Sequence, residues 1–234
     1  MKRLFSYVVR FDMGSAPNPF GGICTLNICK PVIRRSAKIN DWIVGIASNE
    51  YFSVSKVIYA MEITEVKTMS EYDDYCKREL VIKIPKPNPI NIIEFIGDSI
   101  YDYSNMNNNL PGLRNGVHDI NNRNHDLSGV NCLLSENYYY FGNEAVELPS
   151  NLEKIVKRGQ AHQSNANAKF FDDFLLWIKQ FKTYHNSDKA YPNEWIRQNL
   201  ISTEIKSKCE SINKTCSVID LEDSEEDLKS DEKY

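Results

Sequence analysis

DWIVGIAS, residues 41–48, is the stretch that decides the fold. Its run of β-branched and aromatic residues is typical of a buried strand. Val44 and Ile46 fall on one face of that strand, and Ile43 points to the other. KVIYAMEITEV (56–66) has the same character, and the short polar segment between the two stretches predicts an antiparallel pair.

Further strands and helices are predicted on both sides of this pair. LFSYVVRF (4–11) predicts a strand, and the stretches GVNCLLS and NYYYFG predict two more with a turn at 135–137. A short helix is predicted over TMSEYDDYCKREL, opened by Ser70, and a longer one over AKFFDDFLLWIKQF, whose apolar residues recur every three or four positions. Residues 97–129 read as a long polar insertion without regular structure.

The order of these elements predicts the fold class. Strands come first and helices last, which favours an α+β fold over an alternating α/β one. We expect one domain over residues 1–186, a helical and polar extension over 187–216, and a disordered acidic tail over 217–234.

Charge is unevenly distributed along the chain. Residues 1–40 carry seven basic side chains and one acidic, whereas residues 220–234 carry eight acidic and two basic. The basic head is able to bind phosphate although the formal net charge is −4. An ordinary solvated surface explains the same residues equally well.

Several classes of protein are excluded by missing patterns. No two of the six cysteines form a CxxC pair, so neither a zinc ribbon nor a redox dithiol is indicated. No apolar run approaches the roughly 18 residues that span a bilayer, and no signal-peptide pattern opens the chain. We therefore expect a cytoplasmic protein with no membrane partner. Motifs of nucleotide hydrolases, dehydrogenases, serine hydrolases and zinc proteases are absent, and no cofactor or metal is indicated.

The sequence RNHD places His125 beside Asp126 in the polar insertion. A histidine and a carboxylate of this kind can act as general base and orienting acid, contact a ligand, or cap a turn. His118 and Asp119 are near enough in sequence to join them around an ion, although no spacing demands it.

Two basic stretches are candidate phosphate sites. In KRGQAHQSN (157–165), cations and a glycine precede Ser164 and Asn165 at a predicted helix N-terminus, which suits an anion or an ordinary N-cap. In KPVIRRSAK (30–38), the basic residues form a predicted phosphate-contacting rim. The predicted phosphate ligands are Lys30, Arg34, Arg35, Lys38, Arg158, Ser164 and Asn165.

Six stretches of the chain, taken in the order in which they occur, resemble a known family. They are YVVRFDMGSAPNPFGGICTLNICKPVIRRSA, DWIVGIAS, VIYAMEITE, GDSIYDY, NHDLSGVNCLLSENYYYFG and KRGQAHQSN. Together they resemble the bacterial and phage nucleotide modification associated domain, type two, over residues 4–182. The resemblance implies a setting among DNA base-modification and restriction genes. The residues of this sequence that match the family's motifs are His125 and Asp126 in one stretch, and Arg158, Gly159, His162, Ser164 and Asn165 in another.

A looser similarity concerns the two strands of the opening pair. DWIVGIAS followed by VIYAMEITE is similar to PUA-like barrels of the EVE, ASCH and YTH groups, with Asn40-Asp41 where that pattern usually has Gly-Asp. The similarity implies a mixed or antiparallel barrel with C-terminal packing helices. It also implies a pocket for a modified base, for which the candidate residues are Trp42, Tyr101, Asn18 and His162.

Two functions compete. In the favoured one, the domain is a reader that binds a modified base in DNA or a free nucleotide, with DNA-modification or restriction proteins as further partners. In the other, it is an enzyme with His125 as general base, Asp126 or Asp98 as orienting acid, and His162 and Arg158 stabilising an anion. An accessory subunit that contacts its partner through the acidic tail is the third possibility.

Overall fold

The computed structural model describes residues 2–48, 54–157, 161–201 and residue 212. The predicted acidic tail lies outside these residues, as does most of the predicted extension beyond residue 201. The strands are Leu4–Val9 (β1), Cys24–Leu26 (β2), Trp42–Ala47 (β3), Lys56–Glu62 (β4), Glu65–Thr68 (β5), Tyr101–Asn107 (β6), Leu110–Leu113 (β7), Asn131–Ser135 (β8), Asn137–Tyr140 (β9), Val146–Glu147 (β10) and His162–Gln163 (β11).

Helices are short and lie mostly between or after the strands. The α-helices are Pro31–Ser36 (α1), Met69–Arg78 (α2), Arg123–Ser128 (α3), Phe171–Ile178 (α4) and Asn193–Arg197 (α5). The 3₁₀ helices are Phe20–Gly22, Val81–Lys83, Ile120–Asn122, Gly142–Glu144, Ser150–Ile155, Asn165–Phe170 and Lys182–Tyr184. Among the described residues, no helix has the length and apolar character that a bilayer crossing requires.

A six-stranded sheet forms the centre of the molecule. Its order is β10-β4-β3-β1-β11, and β9 also pairs with β4. Strands β3 and β4 are antiparallel, as predicted, whereas β1 and β3 are parallel. The sheet is covered on both faces: Trp42, Val44 and Ile46 pack towards α4, and Ile43 packs on the opposite face. Burial on both faces explains why β3 is apolar at every position.

The smaller sheet, β2-β8-β5, continues from the central one. Strand β4 pairs with β9, and β5 pairs with β8, so that the two pairs form one bent ladder. At the bend, the Thr64 N–H donates a hydrogen bond to the Leu134 carbonyl. The predicted α+β class is confirmed, but the predicted closed barrel is not formed by the described strands. The reason is that the outer edge of β1 is met only by β11, a strand of two residues that pairs with no second sheet.

Local chemistry fixes the two longest helices. Helix α2 is capped by Thr68, not by the predicted Ser70: Thr68 Oγ1 accepts from the Glu71 N–H at 3.2 Å, and Glu71 Oε2 accepts from the Thr68 N–H at 2.8 Å. Helix α4 confirms the predicted apolar face, since Phe174 and Ile178, one turn apart, are fully buried against the central sheet.

The polar insertion is ordered, contrary to the prediction. It contains the β6–β7 hairpin and helix α3, and Tyr101 and Val117 are buried in a hydrophobic cluster with Met13 and Trp195. The hairpin and α3 bring the insertion against the loop between β2 and α1, where the candidate site lies.

Candidate active site

Cys29 lies in the loop between β2 and α1, with a half-buried side chain. Its φ is 57° and that of Lys30 is 41°, so two successive non-glycine residues have left-handed backbone conformations. Such conformations cost about 1–3 kcal/mol each and persist where surrounding contacts enforce them. Here the Cys29 N–H donates to Asp126 Oδ1 at 2.8 Å, which helps to hold the turn.

The same carboxylate connects Cys29 to a histidine. His118 Nε2 is 3.5 Å from Cys29 Sγ, and His118 Nδ1 is 2.7 Å from Asp126 Oδ2. Both His118 and Asp126 are buried. A thiol, an imidazole and a carboxylate are the groups that serve as nucleophile, base and orienting acid in cysteine enzymes.

The charge state of Asp126 sets the direction of the hydrogen bonds. Burial disfavours the carboxylate, but the interaction with the His118 imidazole, the charge of Arg34 and the hydrogen bond from the Cys29 N–H together outweigh burial, so the pKa of Asp126 is below its ordinary value. An ionised Asp126 accepts a hydrogen bond from the Nδ1–H of His118, which leaves Nε2 of the imidazole to accept a hydrogen bond from the thiol. Tyr101 donates its hydroxyl to Asp126 Oδ2 at 2.8 Å and further fixes the carboxylate.

Arg34 holds the two halves of the site together. Its Nε donates to the Cys29 carbonyl at 2.8 Å, Nη1 donates to the Asn131 carbonyl at 2.9 Å, and Nη2 donates to the Asp126 carbonyl. Gly129 makes room for this arrangement, since a Cβ there would lie 2.3 Å from the guanidinium. Arg34 therefore fixes the loop that carries Cys29 against α3.

Two tyrosines line the central sheet near this loop. Tyr7 on β1 and Tyr59 on β4 meet across Gly45 of β3, with their hydroxyl oxygens 2.8 Å apart. Gly45 is required because a Cβ would lie 2.4 Å from the Tyr59 ring. Burial raises the pKa of both hydroxyls, which keeps them neutral. The Lys30 ammonium lies over the Tyr7 ring, 5.3 Å from its centroid.

The family model for nucleotide modification associated domain 2 matches residues 1–199. This chain belongs to that family. No curated protein and no solved structure matches the chain. The matched span contains β1 to β11 and all five α-helices, so the nucleotide modification associated domain includes every residue of the candidate site.

Of the predicted catalytic pair, His125 and Asp126, the structure places Asp126 among the contacts of Cys29. Asp126 is part of the site, and the imidazole that contacts it is that of His118, which the sequence suggested only as a metal ligand. Within the described residues, no group of His, Cys, Asp and Glu side chains has the geometry of a metal site. His125 lies on the half-exposed surface of α3, and its role as a general base remains a prediction.

The four predicted base-binding residues are dispersed. Trp42 is buried in the core, where its ring packs against those of Phe174 and Tyr139 at centroid distances of 6.0 and 6.4 Å. Asn18 is buried and accepts from Lys83 Nζ at 2.8 Å. Tyr101 is in the site through Asp126, and His162 is beside Tyr7 on the neighbouring strand β11. Base binding by these residues remains a prediction.

The predicted phosphate ligands also differ in position. Arg34 is fully buried and directed at backbone carbonyls, so this conformation does not expose it to a phosphate. Lys30 is buried, Arg35 donates to the Ser128 carbonyl at 3.0 Å, and Lys38 is exposed after α1. Ser164 and Asn165 begin a 3₁₀ helix without a side-chain cap, and Arg158 and Gly159 lie outside the described residues.

Cys29 and His118 were missed as a pair because 89 residues separate them. One sequence signal was present: a cysteine accompanied by histidine and aspartate elsewhere in the chain is a candidate nucleophile. That signal does not distinguish Cys29 from the other cysteines. The half-buried position of Cys29 does distinguish it from Cys24, Cys76 and Cys132, which are buried.

Proposed function

We propose that the chain is an enzyme of nucleotide modification in which Cys29 is the nucleophile, His118 the general base and Asp126 the orienting acid. Membership of the family connects the chain with nucleotide modification. The observation that carries the catalytic part of the proposal is the continuous series of contacts from Cys29 Sγ through His118 to Asp126.

The chemistry that suits this arrangement is acyl transfer on a nucleotide that bears a carbonyl group. His118 Nε2 takes the thiol proton, and the thiolate forms an S–C bond while the carbonyl π electrons move to oxygen. When those electrons return, the bond to the leaving atom breaks and His118 gives that atom the proton. Water then attacks the thioester by the same route: His118 takes a proton from water and returns one to sulfur.

A second candidate is the recognition of a modified base without chemistry. It is favoured by the basic residues at the edge of the site, where Arg35 is half-buried and Lys38 exposed. Such residues can contact the phosphates of DNA or of a modified nucleotide. DNA-modification or restriction proteins remain proposed partners in either case.

Reaction with iodoacetamide tests the nucleophile without knowledge of the substrate. We expect rapid alkylation of Cys29 at neutral pH, located by peptide mass spectrometry, and its loss in Cys29→Ser. Cys24 is an internal control, because burial raises the pKa of its thiol to about 12. Alkylation of Cys29 no faster than that of Cys24 in the folded protein would overturn the proposal.

A turnover experiment separates the two functions. The protein is incubated with nucleotides and DNA from cells that carry base-modification genes, and products are sought by mass spectrometry. The enzyme proposal expects a product with the wild-type chain and with His125→Ala, and none with Cys29→Ser. Equal retention of nucleotide by wild type and Cys29→Ser, with no product from either, supports the reader instead.

A further inference from the structure

The β6–β7 hairpin carries an exposed tip at residues 104–110, here called the arm. All seven residues are exposed. Met106 and Asn107, which pair with Pro111 and Leu110, point to opposite faces, so solvent reaches both faces of the ribbon. Asn108 and Asn109 form its two-residue turn, with φ of 51° and 64°, as in the type I′ turns that favour tight hairpins.

The base of the hairpin is fixed next to the candidate site. Asp102 forms ion pairs with Lys77 at 2.9 Å and Arg114 at 3.0 Å, and Arg114 also pairs with Asp73 at 2.8 Å. Tyr101, the first residue of β6, donates to Asp126. Because isolated two-stranded hairpins are only marginally stable in water, these contacts give the arm a defined position relative to the site.

The chemistry of the arm is unusual for a solvated tip. It contains no charged residue; it carries the amides of Asn105, Asn107, Asn108 and Asn109. It also exposes two apolar side chains, with Met106 49 % and Leu110 40 % exposed. Asparagine amides match the donor and acceptor pattern of base edges, and apolar side chains contact or separate stacked bases. Phosphate contacts, in contrast, come mainly from cationic side chains.

We propose that the arm contacts the bases of double-stranded nucleic acid in a groove, next to the Cys29 site. A two-stranded ribbon has the width that the major groove of a duplex admits. The proposal rests on the proposed function in taking a nucleotide as the substrate, and it specifies that this nucleotide is part of a polymer. A protein partner for the arm is the alternative that the experiment distinguishes.

Fluorescence anisotropy of a labelled duplex of about two helical turns, titrated at several salt concentrations, tests the arm. In the full chain, Met106→Ser with Leu110→Ser should lower affinity by about tenfold, the effect of losing one base contact. The slope of log affinity against log salt should stay unchanged, because the arm carries no charge that releases counterions. Leu176→Ser is the matched control, since Leu176 is 71 % exposed on α4, and it should bind as the wild type does.

Three results would overturn the proposal: no binding of duplex by the wild type, unchanged affinity in the arm variant, or an altered salt slope. Unchanged affinity is the result expected of an arm that contacts a protein. Failure of the arm can be distinguished from failure of the catalytic proposal. Cys29→Ser should bind duplex like the wild type, and the arm variant should be alkylated at Cys29 at the wild-type rate.

Discussion

Two fully buried carboxylates, Asp126 and Asp98, have opposite electrostatic surroundings. Asp126 contacts the His118 imidazole and lies in the field of Arg34, and its pKa is lowered. Asp98 accepts from two neutral hydroxyls, those of Thr25 at 2.6 Å and Tyr72 at 2.7 Å. Burial raises its pKa, although the charge of Lys83 and the hydroxyls act against the rise. A buried carboxylate is thus kept ionised only where neighbouring charges and hydrogen bonds outweigh burial, as they do at Asp126 and not at Asp98.

The contacts of the two carboxylates also reach different side chains. Around Asp126 the contacts lead to the thiol of Cys29, a half-buried residue. Around Asp98 they lead to Lys83, which is fully buried and donates to Asn18 Oδ1 and to the carbonyls of Asn18 and Ile23. Under the proposed function the first group carries the chemistry, whereas the contacts of the second hold the loop between β1 and β2 in place.

The largest effect should come from disrupting the contacts of Asp126. His118→Ala and Asp126→Asn remove the base or its orientation, so we expect the alkylation of Cys29 at neutral pH to slow by about 100-fold. Stopped-flow measurement with a fluorescent iodoacetamide provides the rates. His125→Ala is the control and should react at the wild-type rate; if it slowed alkylation as much as His118→Ala does, the assignment of the base would be wrong.

Disrupting the buried hydrogen bonds of Lys83 should lower the stability of the protein and leave the Cys29 thiol reactive. Lys83→Met removes the three hydrogen bonds that the ammonium donates to Asn18 and Ile23, and we expect a loss of about 3 kcal/mol in the free energy of unfolding in urea. Lys86→Met is the control, because the Lys86 side chain is 63 % exposed, and it should change stability by less than about 0.5 kcal/mol. Slower alkylation of Cys29 in folded Lys83→Met would contradict the separation of the two groups.

The fold was predictable where the signal is local. The strands around residues 4–11, 42–47 and 56–62 and the apolar face of α4 follow from residue type and periodicity alone. Helix α1 was not recognised, because its basic residues suggested a surface rim. The hairpin was not recognised either: its tip is polar, and its base is held by ion pairs to Lys77 and Asp73 and by the packing of Tyr101, contacts with residues distant in sequence.

The site was predictable only in part for a similar reason. Asp126 and Tyr101 were selected from their stretches, but their shared hydrogen bond joins two different elements. Arg34 was predicted to contact phosphate because charged side chains usually lie at the surface, where a phosphate can reach them. Its actual acceptors include the Asn131 carbonyl, 97 residues away, and no local pattern shows that carbonyl approaching α1.

A third buried carboxylate, Asp12, provides the smallest predicted effect. It accepts from the Tyr140 hydroxyl at 2.9 Å and the Asn193 N–H at 3.2 Å, and thereby joins the end of β1 to β9 and α5. Burial, reinforced by the charge of Glu194, raises its pKa from 3.8 to about 7 despite these hydrogen bonds. Asp12 thus resembles Asp98 more than Asp126.

The raised pKa gives the stability of the protein a pH dependence. Below pH 3.8 Asp12 is protonated in both the folded and the unfolded chain, and its contribution to stability is fully present; as pH rises to about 7, the unfolded chain ionises and the contribution is lost. Urea unfolding at pH 5 and pH 8 should therefore show Asp12→Asn gaining on the order of 1–2 kcal/mol relative to wild type over that interval. Asp172→Asn, at an exposed position on α4, should show no such gain. If the two variants respond alike, Asp12 is ionised across this range, and burial with the charge of Glu194 does not control its ionisation.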